Sequence, residues 1–461
     1  MARDRFILAY VGVALMGACI HAQSPSTPIA IDNRLELFVD DTLIDRKVGV
    51  ALRLCPPQPK EVVMQFDKPW EGAESTYVSV FKDGAIYRMY YRGDRGGSGP
   101  RVTCYAESKD GIHWTRPSLG LHEHEGSKEN NIIFTQRSHG AIVDNFAAFL
   151  DTRPDAPAKE RYKGIGGHGG AYVSADGVRW RRVSGVGGKK PPPPNAIDSQ
   201  NIAFWDTVQK QYVSYFRGRV KGFRAICRST SKDFITWTDW EFIDLGDAPL
   251  EHLYTSAVVP YFRNPQYYFA FPMRFTQSLS RGEVSDAVFM ASRDGVHFER
   301  RFLEAFLRPG RDKENWTARN MIIASGILPL RADEISIYWT EHYKHATVRL
   351  RRGVVRTDGF VSLNASYAGG EFVTKPLRFS GKELVLNYAT SGAGSIRVEL
   401  QDSAGKPLPG RALDDCPEHF GDKIEASVRW KKGSDVSAWA GQSIRLRFVM
   451  KDADLYSLRF R

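Results

Sequence analysis

Acidic side chains recur at the predicted starts of successive β-strands. Asp144, Asp198 and Glu251 each open a strand-like run, and Glu74 precedes an earlier one. Like charges that are held close together are costly unless a bound partner or a shifted protonation state compensates them. A pair of carboxyl groups, one donating a proton and the other attacking or activating water, is what cleavage of a glycosidic bond requires. The pattern therefore predicts an acidic pocket with hydrolytic chemistry.

Two of these carboxylates have polar neighbours that could orient them. Gln200 and Asn201 follow Asp198, and His252, Tyr254 and Thr255 follow Glu251. We expect Asp198 to act as base or nucleophile, Glu251 as general acid, and Asp144 as a carboxylate that tunes or positions the others. Neighbouring inner strands diverge, so we expect the wide separation of roughly 6.5 to 9.5 Å that accompanies inversion.

Sugar recognition also needs aromatic faces and planar hydrogen-bond donors. The predicted substrate-binding residues are His252, Tyr254, Arg274, Trp316, Arg319, Glu341 and His342. Tyr343 and Trp205 are further candidates, and Trp205 fits the core of the domain equally well. The expected partner is a carbohydrate.

Other functions fit the same residues. The chain could be a carbohydrate-binding protein without catalysis, or a lyase in which His252 and Tyr254 transfer protons. Asp144, Asp198 and Glu251 could instead hold a Ca²⁺ ion through oxygen ligands. Otherwise no cofactor is expected, and the isolated cysteines do not suggest a zinc site. The oligomeric state is not indicated by the sequence.

A recurring phrase predicts the elements that position these residues. Ser108-Lys-Asp-Gly-Ile-His-Trp114 returns from Ser174, Ser231 and Ser292 at intervals of about sixty residues, and a weaker copy surrounds Asp358. Asp-Gly supplies a tight turn, and the aromatic residue that follows can pack back against the strands. A structural role is the expected one.

Short β-rich runs lie between the turns, and no long helical periodicity interrupts them. Three or four antiparallel strands per unit form a propeller blade. The sequence thus predicts an all-β protein: a five-bladed β-propeller over residues 31–366, followed by a C-terminal β-sandwich over residues 370–461. The sandwich strands lack the recurring phrase.

The N-terminal residues 1–23 have the pattern of an export signal, with a basic start and an apolar run too short to span a membrane. We expect a periplasmic or extracellular protein without a transmembrane segment, with Cys19 as a possible lipid anchor. The net charge of +11 comes from basic residues spread along the chain. Nucleic acid is not an expected partner, and acidic glycans suit such a surface.

Several of these motifs together resemble a group of secreted bacterial proteins. Leu37-Phe-Val-Asp-Asp41, the Asp198 and Glu251 segments and Asp358-Gly-Phe-Val-Ser362 are similar to glycoside hydrolase family 32-like proteins of the sucrase or levanase type. The resemblance implies a five-bladed propeller with an acidic central pocket and glycosidase activity. The chain lacks the Asn-Asp-Pro-Asn, Arg-Asp-Pro and Glu-Cys motifs of true invertases, so fructan hydrolysis is not implied.

Overall fold

The structure is a computed structural model that describes residues 27–97, 99–139, 144–191, 197–278 and 282–461. The predicted export signal and Cys19 lie outside the described residues. Within them, no helix is both long enough and apolar enough to cross a lipid bilayer. The helices among the described residues are all of three or four residues. They are Gln136–His139, Ala158–Glu160, Gly167–Gly169, Lys313–Asn315, Leu413–Asp415 and Ser437–Trp439.

Five groups of antiparallel strands follow one another along the chain, and each forms one blade. Blade 1 contains Thr76–Asp83, Ile86–Gly93, Val102–Ser108, Trp114–Thr115 and Ile132–Thr135. Blade 2 contains Ala147–Leu150, Tyr162–Ile165, Gly170–Ser174 and Arg181–Gly185, and blade 3 contains Ile202–Asp206, Gln211–Val220, Phe223–Ser231 and Glu241–Phe242. Blade 4 is divided between two small sheets, with His252–Leu253, Met273–Ser278 and Gly282–Ala287 in one and Val259–Pro260, Tyr268–Ala270, Met290–Ser292 and Phe298–Glu299 in the other.

Blade 5 closes the ring with strands from both ends of the propeller sequence. Glu334–Glu341 pairs with Arg349–Arg356, which pairs in turn with Gln58–Gln65 from the start of the chain. Ser325, which precedes Glu334–Glu341, forms an isolated parallel β-bridge with Ser79 in the first strand of blade 1. The first and fifth blades are therefore joined directly, and the predicted all-β fold with a five-bladed propeller and a β-sandwich is confirmed.

The recurring phrase forms the same turn in the first four blades. In blade 2, Asp176 Oδ1 accepts backbone N–H groups of Val178 and Arg179, at 2.8 and 2.7 Å, and Ser174 Oγ accepts the N–H of Gly177 at 2.9 Å. The carbonyl of Gly177 accepts a hydrogen bond from Tyr90 OH of blade 1 at 2.8 Å. The turn is thus a structural device that also ties one blade to the previous one.

The acid sensitivity of this turn can be tested with Asp176→Ala. Partial burial raises the pKa of Asp176. The backbone N–H groups of Arg179 and Val178 outweigh this effect and lower the pKa to about 2. A lowered pKa stabilises the fold fully above the unfolded value near 3.9, and this contribution disappears as the pH falls toward 2. We expect the variant to lose about 1 kcal/mol at neutral pH. The difference from the parent should shrink between about pH 5 and pH 2 in urea unfolding.

Asp155→Ala provides the control for this experiment, because Asp155 is an exposed carboxylate of the same blade. Its removal should leave the pH dependence of unfolding unchanged. An Asp176 variant whose deficit stays constant down to pH 2 would contradict the role given to the turn.

The remaining strands form one ten-stranded sheet around a separate apolar core. They are Ile29–Asp32, Glu36–Leu37, Ile44–Val48, Val50–Leu54, Val361–Ala365, Gly370–Thr374, Leu377–Phe379, Leu384–Asp402, Asp422–Ser427 and Ser443–Phe460. The N-terminal strands thus pair with C-terminal ones, since Leu37 lies opposite Ser457. The domain limits at 31, 366 and 370 stay predictions, but strands from both sides of them share this sheet.

Aromatic packing and a buried carboxylate join the sandwich to the propeller. Phe360 lies 4.6 Å from Phe269 between ring centroids and stacks on Phe289 at 5.8 Å. Next to it, the Asp358 carboxylate is completely buried and accepts hydrogen bonds from Arg263 of the propeller and Ser457 of the sandwich, both at 2.7 Å. This carboxylate is therefore shared by the two parts of the molecule.

Candidate active site at the propeller axis

Three residues that begin blade 1 or precede blades 3 and 5 adopt an unusual backbone conformation. Tyr77 of blade 1, Ile197 before blade 3 and Arg319 before blade 5 have φ angles of 55°, 64° and 59°. Such a conformation costs a non-glycine residue about 1–3 kcal/mol and persists where the surrounding structure imposes it, often at functional sites. The strand starts therefore mark one end of the axis as the candidate site.

Tyrosine rings and arginines form a mixed cluster at this end. The Arg92 guanidinium lies over the Tyr77 ring at 4.7 Å and donates to Tyr343 OH at 3.0 Å. The Arg217 guanidinium lies over the Tyr254 ring at 4.9 Å. Burial raises the pKa of Tyr77 well above its usual value, and the nearby Tyr254 hydroxyl adds to the rise. Tyr77 thus contacts Arg92 directly, and Tyr254, Tyr343 and Arg217 lie close enough to influence its pKa.

Glu74 lies on the Tyr343 side of this cluster. Tyr343 OH donates to its Oε2 atom at 3.3 Å, and Arg92 donates to its main-chain carbonyl at 2.7 Å. Within the described ranges, no arginine or lysine forms an ion pair with its carboxylate. Burial raises the pKa of Tyr343, so this hydroxyl stays protonated and able to donate.

Asp198 lies on the Tyr254 side. Its side chain is 71% exposed, and its Oδ2 atom lies 2.7 Å from the Arg217 Nη2 atom. The next residue, Ser199, donates from Oγ to the carbonyl of Tyr254 at 2.8 Å, which fixes the strand start against blade 4. The structure therefore brings the predicted Asp198 and Tyr254 together around Arg217.

Asp144 belongs to a neighbouring ion-pair chain on the same side as Glu74. Arg101 lies 3.1 Å from Asp144 and 3.0 Å from Asp94, and Asp94 lies 3.5 Å from Arg92. The predicted tuning role of Asp144 stays a prediction. Its contacts connect it to the Tyr77 cluster through these arginines.

Glu251 lies in a different set of contacts. Its Oε1 atom lies 2.9 Å from Arg274, and its Oε2 atom lies 2.8 Å from Arg300. Arg274 also binds Asp286 at 2.6 Å. No hydrogen bond or ion pair among the described residues joins Glu251 to Asp198. The general-acid role of Glu251 stays a prediction, although both of its oxygens are already bound by arginines.

A pocket of about 620 Å³ opens beside Glu251. It is lined by Arg274, by Ser285 and by Trp316, whose indole is 55% exposed although its Nε1 atom donates to Gly310 at 2.9 Å. Ser285 Oγ accepts the main-chain N–H of Arg319 at 2.8 Å. The Trp316 pocket therefore adjoins the strand start that carries Arg319.

His252 faces the arginines of blade 3. Its Nδ1 atom accepts the main-chain N–H of Arg224 at 3.2 Å. Burial lowers the pKa of His252, and the charges of Arg224 and Arg219 lower it further. The imidazole is consequently neutral at pH 7 and can accept a proton.

Glu341 and His342 are engaged within blade 5. Glu341 is buried and lies 2.8 Å from Arg349 and 2.6 Å from Arg351. His342 Nε2 lies 2.7 Å from Asp312, and the other ring nitrogen lies 2.8 Å from Glu314. Substrate contact by Glu341 and His342 stays a prediction, and the observed contacts of the two side chains hold blade 5 and its preceding loop.

The proposed calcium ligands do not share a cluster in the described part of the chain. Asp144, Asp198 and Glu251 each bind different arginines, and no group of three or more His, Cys, Asp or Glu side chains suited to a metal occurs among the described residues. A calcium site stays a prediction. Trp205 packs against Tyr212 with ring centroids 4.9 Å apart, as expected for a core residue.

Neither the family models nor the curated proteins contain a match to this sequence. Among solved structures, a protein described as a glycoside hydrolase aligns over 65% of this chain and 92% of its own, at 14% identity and a TM-score of 0.44. A glycosyl hydrolase from Bacteroides ovatus aligns over 65% and 93%, at 17% identity and a TM-score of 0.42. An N-acetylgalactosamine deacetylase from F. plautii, in complex with blood group B trisaccharide, aligns over 67% and 96%, at 12% identity and a TM-score of 0.45. At these values no family is assigned, and the resemblance to family 32 stays a prediction.

Tyr77, Arg92 and Arg217 were not among the predicted site residues. A signal for the arginines exists in the sequence, because Arg92-Gly93 ends the second strand of blade 1 and Arg217-Gly218 lies near the end of the second strand of blade 3. An arginine before glycine at the axis end of a blade is unusual in a buried strand and could have been noticed. Tyr77 gives no such signal, since it begins an ordinary apolar run.

Proposed function

We propose that this protein is a carbohydrate-processing enzyme of the glycosidase type, with its active site between Glu74 and Asp198. The observation that carries the proposal is the contact of both carboxylates with the same cluster of tyrosines and arginines around Tyr77. Glu74 is hydrogen-bonded through Tyr343, and Asp198 is bound by Arg217 beside Tyr254. Most glycosidases hydrolyse the glycosidic bond with two carboxyl groups, one on each side of that bond.

The different surroundings of the two carboxyl groups support different roles. Arg217 fixes the orientation of the Asp198 carboxylate, which suits attack on the sugar or activation of a water molecule. Glu74 has a hydroxyl rather than an arginine on its carboxylate, and we assign it the transfer of a proton to the leaving oxygen. Arg92 then positions both Glu74 and Tyr343 through its hydrogen bonds.

Aromatic surfaces give the site a place for sugar rings. Trp316 is exposed in the pocket beside Glu251, whereas Tyr77 and Tyr254 are buried and support the site from within. Aromatic side chains combine a large apolar face with a polar edge, which matches the two faces and the hydroxyl rim of a sugar. We assign the axis to the sugar that is cleaved and the Trp316 pocket to a neighbouring sugar of the same chain.

One observation favours a second function, β-elimination on a uronic acid. Tyr254 lies between the guanidinium groups of Arg217 and Arg224, each 4.9 Å from its ring, and His252 is neutral and able to accept a proton. In such a lyase the base would remove the proton next to the sugar carboxylate. The electron pair would form a C=C bond, and the bond to the leaving glycosidic oxygen would break as the Tyr254 hydroxyl gives that oxygen a proton.

The full-length protein should be incubated with a panel of glycans that includes arabinan, levan, mannan, xylan and polygalacturonate. Release of reducing ends without a new ultraviolet absorbance identifies a hydrolase, whereas a matching rise in the absorbance of an unsaturated uronate identifies a lyase. Binding without release would indicate a carbohydrate-binding propeller and contradict the proposed enzyme. A protein that neither binds nor cleaves any glycan would overturn the proposal altogether.

A further inference from the structure

Most arginines around the axis opening are neutralised by a carboxylate of the protein. The ion pairs are Arg92–Asp94 at 3.5 Å, Arg101–Asp94 at 3.0 Å, Arg101–Asp144 at 3.1 Å and Arg217–Asp198 at 2.7 Å. Each of these guanidinium groups therefore has its counter-charge within the fold. The question is which positive charges at this opening lack one.

Arg319 is the clearest exception. It is half-buried, and its guanidinium lies 5.8 Å from the centre of the Tyr343 ring. Its main-chain N–H donates to Ser285, but no carboxylate lies within ion-pair distance of its side chain in the described ranges. Burial lowers its pKa, while the nearby hydroxyls of Tyr343, Tyr254 and Tyr77 and the more distant Glu74 carboxylate raise it, and the net shift is upward. The charge is therefore permanent, and it faces the tyrosine cluster.

A second unneutralised charge lies across the cluster. The Arg224 guanidinium is 4.9 Å from the Tyr254 ring and 5.0 Å from the Phe275 ring, and it forms no ion pair with a carboxylate among the described residues. Burial lowers the pKa of Arg224, and the neighbouring charges of Arg217 and Arg219 lower it further. Positive charge is thus in excess on the Tyr254 side as well.

Withdrawing a guanidinium from water is costly unless an anion or several acceptors compensate it. The backbone of Arg319 also has a positive φ, which is a strained conformation for a residue other than glycine. Such strain often occurs at functional sites. A planar guanidinium matches an oxyanion with two oxygens better than a hydroxyl group does.

We infer that the sugar bound at the axis carries an oxyanion, a carboxylate or a sulfate, and that Arg319 is its receptor. This inference rests on the proposed function, because it names the substrate class of the same site. The buried tyrosine rings beside Arg319 hold its guanidinium in place, and the guanidinium fits the charged substituent on a sugar ring. Arg224 stabilises the same negative charge from the opposite side.

Binding of matched acidic and uncharged ligands tests this directly. Oligosaccharides of galacturonate, glucuronate and mannuronate would be titrated into the full-length protein by calorimetry, each beside its methyl ester. The ester keeps the size and shape of the sugar and removes its charge. A sulfated galactan tetrasaccharide forms a separate arm, and it distinguishes a sulfate-bearing substrate from a carboxylate-bearing one.

We expect the parent protein to bind at least one acidic oligosaccharide on the order of tenfold to a hundredfold more tightly than its uncharged counterpart. Arg319→Gln should abolish that preference, and Arg319→Lys should restore part of it. Arg311→Gln is the control, because Arg311 is an exposed arginine of the preceding loop. It should keep the full preference.

Equal binding of acid and ester, or a preference that survives in Arg319→Gln, would overturn the inference. Cleavage of neutral glycans without binding of any acidic one would overturn it while leaving the proposed enzyme intact. If the protein neither binds nor cleaves any glycan, neutral or acidic, both the inference about Arg319 and the proposed function are wrong.

Discussion

Replacing Glu74 by glutamine is expected to lower turnover of a cleaved glycan by a factor of about 10² to 10⁴. The amide keeps the size of the side chain and can still accept the Tyr343 hydrogen bond, but it cannot deliver a proton. The loss should therefore appear in kcat, with little change in KM. Initial rates of reducing-end release measure both constants.

Two further variants make this result interpretable. Asp198→Asn should cause a loss of similar size, because it removes the other carboxylate of the proposed pair. Glu123→Gln is the matched control, since Glu123 is an exposed glutamate of the same blade. Parental rates in both Glu74→Gln and Asp198→Asn would show that the active pair lies elsewhere. A large loss in Glu251→Gln alone would then restore Glu251 as the acid.

Asp358→Ala is expected to reduce the free energy of unfolding by about 3–5 kcal/mol. The buried carboxylate accepts hydrogen bonds from Arg263, Ser457 and Asn387 at 2.7, 2.7 and 3.0 Å, and from Tyr261 OH. Its removal leaves a guanidinium and three neutral donors without their acceptor at the junction of propeller and sandwich. Urea unfolding followed by tryptophan fluorescence measures the loss.

A nearby exposed ion pair provides the control for this prediction. Asp422 is 71% exposed and pairs with Arg356 across the same junction. Solvent screening leaves such a pair worth about 1 kcal/mol or less, so Asp422→Ala should be nearly neutral. Equal losses in the Asp358 and Asp422 variants would mean that the buried network does not hold the junction.

The blades could be predicted because their signal is local. Asp176 accepts N–H groups two and three residues further along the chain, so the turn is specified within one short phrase. The same phrase at Ser108, Ser231 and Ser292 forms the same turn. Counting the copies therefore gave the number of blades.

The site could be predicted only in part, because its partners come from different blades. Asp198 and Tyr254 were recognised as strand-start residues, and they meet around Arg217. The contact of Glu74 with Tyr343, by contrast, depends on ring closure between the first and fifth blades. No local sequence pattern predicts which residues the closure of the ring brings into contact.

The pairing of the N-terminal strands could not be predicted from the sequence, for the same reason. The run from Ile29 to Leu54 has the alternation of ordinary strands, and nothing in it identifies partners more than three hundred residues away. An edge strand accepts any compatible neighbour, so its position depends on which edge remains open when the rest has folded.

This pairing gives the molecule a particular order of folding. Leu37 cannot meet Ser457 until nearly the whole chain has been synthesised, and Val50 cannot meet Ala365 until most of it has. Contacts between such distant segments slow folding, because a large loop entropy must be overcome before they form. The N-terminal strands, including Gln58–Gln65, which among the described strands pairs only with Arg349–Arg356, are consequently exposed edges during synthesis. Nascent chains of this protein should need protection from edge-to-edge association at that stage.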